Sequence, residues 1–308
     1  MKIAVIGAGG VGGYFGGRLA DAGNDVTFVA RGAHLQALRH SGLTLLSPLG
    51  DLHLPSVQAV ESIAHLPPVD LVLVAVKLWD TDAVADLLGP LVAQGAAVLS
   101  LQNGVEKDLA LRNHLPAESL LGGLCYISAA IESPGAIRHR GSMQRIVFGE
   151  FNGQPTPRAQ AFLEACQSAN IDATLSGTIE KLIWEKFVFL VGLSGATTSM
   201  RQNIGAVLAN AQTRSFLVDL MREVVAVGRA KAIDLPPDFA ENRLAFCHTL
   251  PPAMTSSMHG DLDRGNRLEL PWLSGAVVRL GNQTGIPTPL NRAVSANLAP
   301  FEQGVSAQ

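Results

Sequence analysis

The run Lys2-Ile3-Ala4-Val5-Ile6-Gly7-Ala8-Gly9-Gly10-Val11-Gly12 decides how the rest of this 308-residue chain is read. Residues 2–6 are short, apolar and rich in β-branched side chains, the character of a strand buried on both faces. Glycines follow at once in the spacing G-x-G-x-x-G, then an apolar helix-like run, then Asp25-Val26-Thr27-Phe28-Val29-Ala30-Arg31. Each glycine has a physical task in that setting. Gly7 turns the chain out of the strand, Gly9 lets a pyrophosphate approach the backbone, and Gly12 lets the next helix sit close to the sheet. The helix then aims its unpaired N–H groups and positive dipole end at phosphate oxygens. The spacing alone is weak. Placed between a strand and a helix, with a second strand where a βαβ unit needs one, it predicts a dinucleotide site formed by Gly7, Ala8, Gly9, Gly10, Val11 and Gly12.

Arg31 refines the expectation. A unit that binds NAD ends its second strand in an acidic residue that holds the ribose 2′-OH. A guanidinium there meets a 2′-phosphate instead, with paired charge-assisted hydrogen bonds. The predicted cofactor is therefore NADP(H). The plainer reading is a solvated charge at a strand end.

Composition bounds the rest. The length allows two domains of ordinary size, and 47% hydrophobic with 16% charged residues suits a large buried core. A net charge of −3 gives no footprint for nucleic acid or an anionic membrane. Cys125, Cys166 and Cys247 lie far apart in sequence, with no metal or redox spacing. The eight histidines form no H-x-x-x-H pair, so no metal is expected. No apolar run reaches membrane-spanning length, and the N-terminus enters a strand directly without a cleavable signal pattern. A cytoplasmic protein with a small-molecule substrate is the expectation.

Along the chain, 33–41 has a helical pattern ending near Gly42, and 43–54 suggests a small hairpin around Pro48-Leu49-Gly50. Asp70-Leu71-Val72-Leu73-Val74-Ala75-Val76 is a buried strand ending in Lys77. A helix is expected over 80–92, stopping around Pro90 and Gly95. A strand at 96–101 leads into Gln102-Asn103-Gly104, and strands are predicted at 120–131 and 145–150 with a turn at Pro134-Gly135. This alternation predicts a doubly wound parallel sheet, a Rossmann α/β domain over residues 1–177. Beyond Pro155-Thr156-Pro157 the periodicity becomes helical, apart from a short segment at 171–175. Residues 178–308 are expected to form an all-helical second domain, with helices near 179–200, 206–231, 236–249 and 268–284 and a short last one after Pro289. Its apolar faces serve either a domain core or a homodimer interface, and both readings stand.

Reduction of a carbonyl requires a group that handles the proton on oxygen. Lys186 is the candidate in the helical half. On a helix its neighbours three and four residues away are Leu182, Ile183, Phe189 and Leu190. Desolvation by such a stripe disfavours the ammonium and brings its pKa toward working pH. A buried stem with a head that snorkels to water is the bland alternative, and on composition the commoner one. Lys181 has Glu185 one turn on and reads as an exposed pair. A second polar group, Thr255-Ser256-Ser257-Met258-His259-Gly260-Asp261 with Glu269, is read either as a site or as a polar loop in which Ser257 caps a helix.

At these residues the sequence resembles the ketopantoate reductase family (2-dehydropantoate 2-reductases) over nearly its whole length. The resemblance rests on Gly7 to Gly12, Arg31, Ala75-Val76-Lys77, Gln102-Asn103-Gly104, Ile183-Trp184-Glu185-Lys186, Ser256-Ser257-Met258 with Asp261, and Glu269. It implies a Rossmann domain followed by a helical domain resembling that of 6-phosphogluconate dehydrogenase. It also implies NADPH-dependent reduction of a 2-keto acid to a 2-hydroxy acid, the pantoate-forming step of pantothenate synthesis. By resemblance, Lys186 is the catalytic proton donor, and Glu269 lies near the nicotinamide ribose and orients it. Ser257 holds the substrate carboxylate, Asn103 touches cofactor and substrate, and Lys77 meets the adenosine-side phosphate or ribose.

The chain departs from the family pattern where substrate asparagines are expected. One and two helical turns after Lys186 stand Leu190 and Ser194, the latter placed among the substrate residues, and before Gly205 stands Ile204. Losing an amide partner for a buried substrate hydroxyl costs on the order of 1–3 kcal/mol. Reduction of 2-dehydropantoate leads. The alternatives are a paralogous reductase of a more apolar 2-keto acid, a non-catalytic NADP(H)-sensing homologue, and an NADP-dependent dehydrogenase that oxidises a β-hydroxy acid.

Overall fold

The apolar runs become strands. In a computed structural model, which describes residues 1–304, the first unit is built in the order β1 (Lys2–Ile6), α1 (Gly10–Asp21), β2 (Asp25–Val29), α2 (Gly32–Ser41), β3 (Leu43–Leu46), β4 (Leu52–Leu54), β5 (Gln58–Val60) and β6 (Leu71–Val74). It continues with α3 (Thr81–Ala93), β7 (Ala97–Ser100), α4 (Lys107–Arg112), β8 (Leu120–Ser133), β9 (Ala136–Gly149), α5 (Pro157–Ser168) and β10 (Asp172–Leu175). The sheet order is β4-β3-β9-β8-β7-β6-β1-β2-β5, with β10 also on β9. β1 pairs in parallel with β2 on one side and β6 on the other, through Ile3↔Val26 and Ile3↔Leu71 among other pairs. The strand order reverses there, so the carboxyl ends of β1 and β6 open the crevice where such sheets take ligands. One core packs α1, α2 and α5 on one face of the sheet through Phe15, Phe28, Leu38 and Phe162. Another packs α3 and α4 on the opposite face through Val72, Val74, Leu88 and Leu111.

The expected Rossmann sheet is present, but it is not purely parallel. β8 and β9 form a 14-residue-a-side antiparallel hairpin with irregular register at Ile127/Ser128 and Ile131/Ser133. Its distal half, around Ile131–Gln144, is mostly exposed. The expected strand at 120–131 is nearly all of β8, whereas that at 145–150 is only the buried root of β9, whose outer half buries Ile137 and His139 between exposed or half-buried neighbours. α3 also runs past Pro90 to Ala93. Pro90 lies on the exposed face and removes one hydrogen bond of the last turn, and the helix ends within three residues of it.

The chain divides into two compact units, Met1–Asn103 with Lys107–Ile179, and Gly104–Glu106 with the chain from Glu180 onward. The second unit contains α6 (Ile179–Met200), α7 (Ile204–Ala209), α8 (Ala211–Ala230), α9 (Phe239–Cys247), α10 (Ser257–Asp263), α11 (Ser274–Thr284) and α12 (Pro289–Leu298). α6 supplies Trp184, Phe187, Val188, Val191, Leu193 and Ala196 to its core, and Val105 of the short excursion packs against the same core. The single helix expected over 206–231 is two, because the Asn210 side chain accepts from the N–H groups of Gln212 and Thr213 and starts α8 afresh. The expected helix over 268–284 begins only at Ser274, after a 3₁₀ turn through Pro271. α10 is the helix start read in the polar segment 255–261, begun one residue earlier than a Ser257 cap would place it.

A buried ion pair secures the end of β7. Lys107 is 1% exposed and Asp108 6%. The Lys107 Nζ donates to both Asp108 carboxylate oxygens, at 3.0 and 2.9 Å, and to the Ser100 carbonyl at 3.3 Å. Removing one partner of such a pair leaves an uncompensated buried charge. Lys107→Met is expected to cost about 3–5 kcal/mol, and Lys107→Met/Asp108→Leu to recover most of it. Urea unfolding of the three proteins measures both effects, and equal stability of Lys107→Met and wild type contradicts this account of the pair.

Candidate cofactor and active-site residues

The glycine loop leaves β1 at Gly7, whose φ of +94° suits a residue without a side chain. Its N–H and that of Ala8 both donate to the Val29 carbonyl, at 3.2 and 3.3 Å, which ties the loop to the end of β2. A Cβ on Gly12 would stand 2.2 Å from the Gly7 carbonyl oxygen and 3.0 Å from the Ala75 Cβ, so α1 lies as close to the sheet as backbone allows. A Cβ on Gly9 would meet nothing within 4 Å. Gly9 caps α1 without any side-chain hydrogen bond to the first turn, which leaves those N–H groups to a ligand. The loop therefore fits a pyrophosphate, with Gly9 as the open approach. Gly10 has another reason to be glycine. A Cβ there would stand 2.1 Å from the Ala129 carbonyl oxygen of β8. The hairpin thus lies on the start of α1. Ala8 is buried and Val11 half-buried.

Arg31 is not at the end of β2, which stops at Val29. It caps the start of α2. Its side chain is 79% exposed, and Nη2 donates to the Asp80 carboxylate at 3.0 Å. Lys77 is exposed, with its Nζ 5.6 Å from the Trp79 ring centroid. Asn103 is half-buried and follows Gln102, a residue to which no role was attached from sequence. The Gln102 carboxamide accepts from Ser100 Oγ at 2.9 Å and donates to the Val76 carbonyl at 3.0 Å and to Thr81 Oγ1 at 2.8 Å. One buried amide thereby ties the end of β7 to the end of β6 and the start of α3, and it fixes where Asn103 and Asp80 begin. Its sequence signal is a polar side chain just beyond an apolar strand.

His34 joins α2 to the hairpin turn, its Nδ1 accepting from the Gly135 N–H at 3.1 Å. Burial pulls its pKa below the usual histidine value, against the nearby Ala8 carbonyl, which raises it. A depressed histidine pKa means that the unfolded chain protonates first as pH falls. Stability therefore drops as pH goes below the ordinary value of 6.5, until His34 itself titrates.

In the second unit, Lys186 is half-buried on α6, with Ile183 buried and Leu182, Phe189 and Leu190 half-buried around it. The stripe is apolar as expected but not sealed. Lys181 departs from its expected pairing, since its Nζ is 2.6 Å from the Asp234 carboxylate. Ser194 is fully buried, and its hydroxyl has no hydrogen-bond partner among the described residues. Ile204 does not line a polar site either. It is 0% exposed and belongs to the helical core, while the adjacent Asn203 caps α7 by accepting from the Ala206 N–H at 2.9 Å. The cap of α10 is Ser256, which accepts from the His259 N–H at 3.1 Å and lies beside the Thr197 and Thr198 hydroxyls. The expected cap, Ser257, is instead exposed at the first helical position. Glu269 is 8% exposed, and its carbonyl accepts from the N–H groups of Trp272 and Leu273.

The model of the family described as ketopantoate reductase PanE/ApbA matches residues 3–153, and that of its C-terminal region matches residues 178–302. The chain belongs to the ketopantoate reductase family. Members of this oxidoreductase family are named 2-dehydropantoate 2-reductase and act on a CH–OH group with a nicotinamide cofactor. The chain is 32% identical to the uncharacterized oxidoreductase YkpB of Bacillus subtilis, covering 98% of this chain and 99% of that one. It superposes on the crystal structure of a PanE/ApbA family ketopantoate reductase from Ralstonia eutropha with a TM-score of 0.89 at 32% identity, covering 98% of each chain. D-mandelate dehydrogenase, solved with NADH and anilino(oxo)acetate, shares the fold at a TM-score of 0.88 and 22% identity, again over 98% of each chain. Both expected halves, the parallel-sheet domain and the helical region, are those of the ketopantoate reductase fold.

Two variants of the loop separate packing from ligand binding. Gly10→Ala places a methyl against the Ala129 carbonyl, and thermal unfolding of the ligand-free protein is expected to show a loss of about 3 kcal/mol. Gly9→Ala, with open space around it, is expected to leave that unfolding unchanged. For His34→Asn, the loss of stability between about pH 7 and pH 5 is expected to be shallower than in wild type. Identical profiles would show that His34 is not the titrating group.

Proposed function

We propose that the chain reduces the keto group of a 2-keto acid to a hydroxyl with NADPH, and that 2-dehydropantoate is the substrate favoured by its family. The observation that carries this reading is Lys186, a lysine held half-buried at mid-helix among apolar neighbours. An ammonium in such a place is partly desolvated and held by the helix, so it can present a proton to a bound carbonyl oxygen. When bound, NADPH supplies the hydride to C2 of the keto acid. Lys186 Nζ delivers the proton to the carbonyl oxygen, and Glu269 orients the ammonium and borders the nicotinamide ribose. Ser257 holds the substrate carboxylate, and Asn103 contacts both ligands. Ser194 is the remaining polar group assigned to the substrate. Gly7, Ala8, Gly9, Gly10, Val11 and Gly12 take the pyrophosphate, while Arg31 and Lys77 take the adenosine end. The donors act where charge develops on the carbonyl oxygen, so their effect falls on turnover more than on substrate affinity.

Leu190 favours a second reading for the substrate. One helical turn beyond Lys186 it offers only hydrocarbon, which suits a 2-keto acid whose tail is more apolar than the hydroxylated tail of 2-dehydropantoate. The constellation also argues against a pure sensor, because binding NADP(H) does not require the lysine and glutamate together.

NADPH oxidation followed on a panel of 2-keto acids tests the reaction. Turnover of at least one member is expected, and Lys186→Ala is expected to lower kcat by about 10²–10⁴-fold with little change in KM. Wild-type rates in that variant would remove Lys186 from the chemistry. Leu190→Asn is expected to shift kcat/KM toward 2-dehydropantoate by about tenfold if the tail lies against this residue.

A further inference from the structure

The only charge partner of the Arg31 guanidinium among the described residues is Asp80. Nη2 donates to Asp80 Oδ2 at 3.0 Å, and the rest of a side chain that is 79% exposed faces solvent. Asp80 is not a drifting surface charge. It ends the 3₁₀ turn Leu78–Asp80, and its N–H donates to the Lys77 carbonyl at 3.0 Å. The next residue, Thr81, is 2% exposed and is held by Leu78 and by the buried Gln102 amide. The carboxylate therefore stands on a fixed platform beyond β6, while the arginine stands beyond β2. These strands flank β1 on opposite sides.

We infer that Asp80 is a specificity-determining residue that lowers the preference of this site for a 2′-phosphorylated cofactor and lets it accept the unphosphorylated one. The inference rests on the reading of Arg31 as the 2′-phosphate ligand. A dianionic phosphate that pairs with Arg31 must share the guanidinium with a carboxylate already bound to it, and it stands close to that like charge. Like charges a few ångströms apart in a solvated site oppose each other by roughly a factor of five to ten in affinity. The unphosphorylated ribose brings no such penalty, and its hydroxyl offers a donor to an acidic acceptor, the usual partner in an NAD site. Arg31 and Asp80 thus place the phosphate-seeking group and the hydroxyl-seeking group side by side, each neutralising part of the other's bias.

Calorimetric binding of NADP⁺ and NAD⁺ to the full chain, at low and at high salt, tests this without turnover. Asp80→Asn is expected to raise the NADP⁺/NAD⁺ affinity ratio about five- to tenfold at low salt, by tightening NADP⁺, and the gain is expected to shrink at high salt. Asp80→Ser is expected to do the same, so an effect peculiar to one side chain is distinguishable. Arg31→Ala is expected to collapse the ratio. If Arg31→Ala collapses the ratio while both Asp80 variants leave it unchanged or lower it, Asp80 does not set the preference. If Arg31→Ala leaves the ratio intact, the phosphate reading beneath the inference is itself wrong.

Discussion

The glycine loop is clamped between two backbones, and much of the first unit follows from that constraint. Below it, Gly12 meets the Gly7 carbonyl and Ala75 at distances that admit no side chain. Above it, Gly10 meets the Ala129 carbonyl of the long hairpin. Close packing of this kind leaves no room for adjustment, since even one added methyl is felt in an interior at crystal-like density. Gly9, between the two, is the position left open. The clamp thus sets both where α1 begins and where a ligand can come near the main chain.

The fold was legible where residues are buried on both faces and illegible where they are not. The strands of residues 3–6 and 71–74 are continuous apolar runs, 25–29 keeps Val26, Phe28 and Val29 around Thr27, and α6 announces itself by an apolar pattern of more than five turns. The outer half of β9, Ala136–Gln144, buries only Ile137 and His139 among charged and polar neighbours, so its composition does not distinguish strand from loop. The break at Asn210 and the late start of α11 are decided by local hydrogen bonding and by Pro271, against a hydrophobic pattern that runs on through both.

The candidate site divides in the same way. The glycines, Arg31 and Lys186 carry their chemistry in residue type and spacing. The residues that hold them in place do not. Gln102 acts through a buried amide that links three segments distant in sequence, and Asp80 matters only because folding places it against Arg31. Ile204 stands where the family resemblance places a substrate asparagine, and its side chain belongs to the helical core, while the adjacent Asn203 supplies the polar group at that corner as a helix cap.

The excursion at Gly104–Glu106 alters what counts as a module in this chain. Three residues leave the first unit, place Val105 in the second core and set Glu106 against Arg279, and then the chain returns at Lys107. The helical unit is therefore not encoded by a contiguous stretch. A fragment cut to begin at Glu180 would lack a core side chain and an ion-pair partner, and the polypeptide passes between the units at three points in place of one. Recombination at Glu180 would carry the helical unit away from Val105 and Glu106, two residues it draws from 74 or more positions upstream.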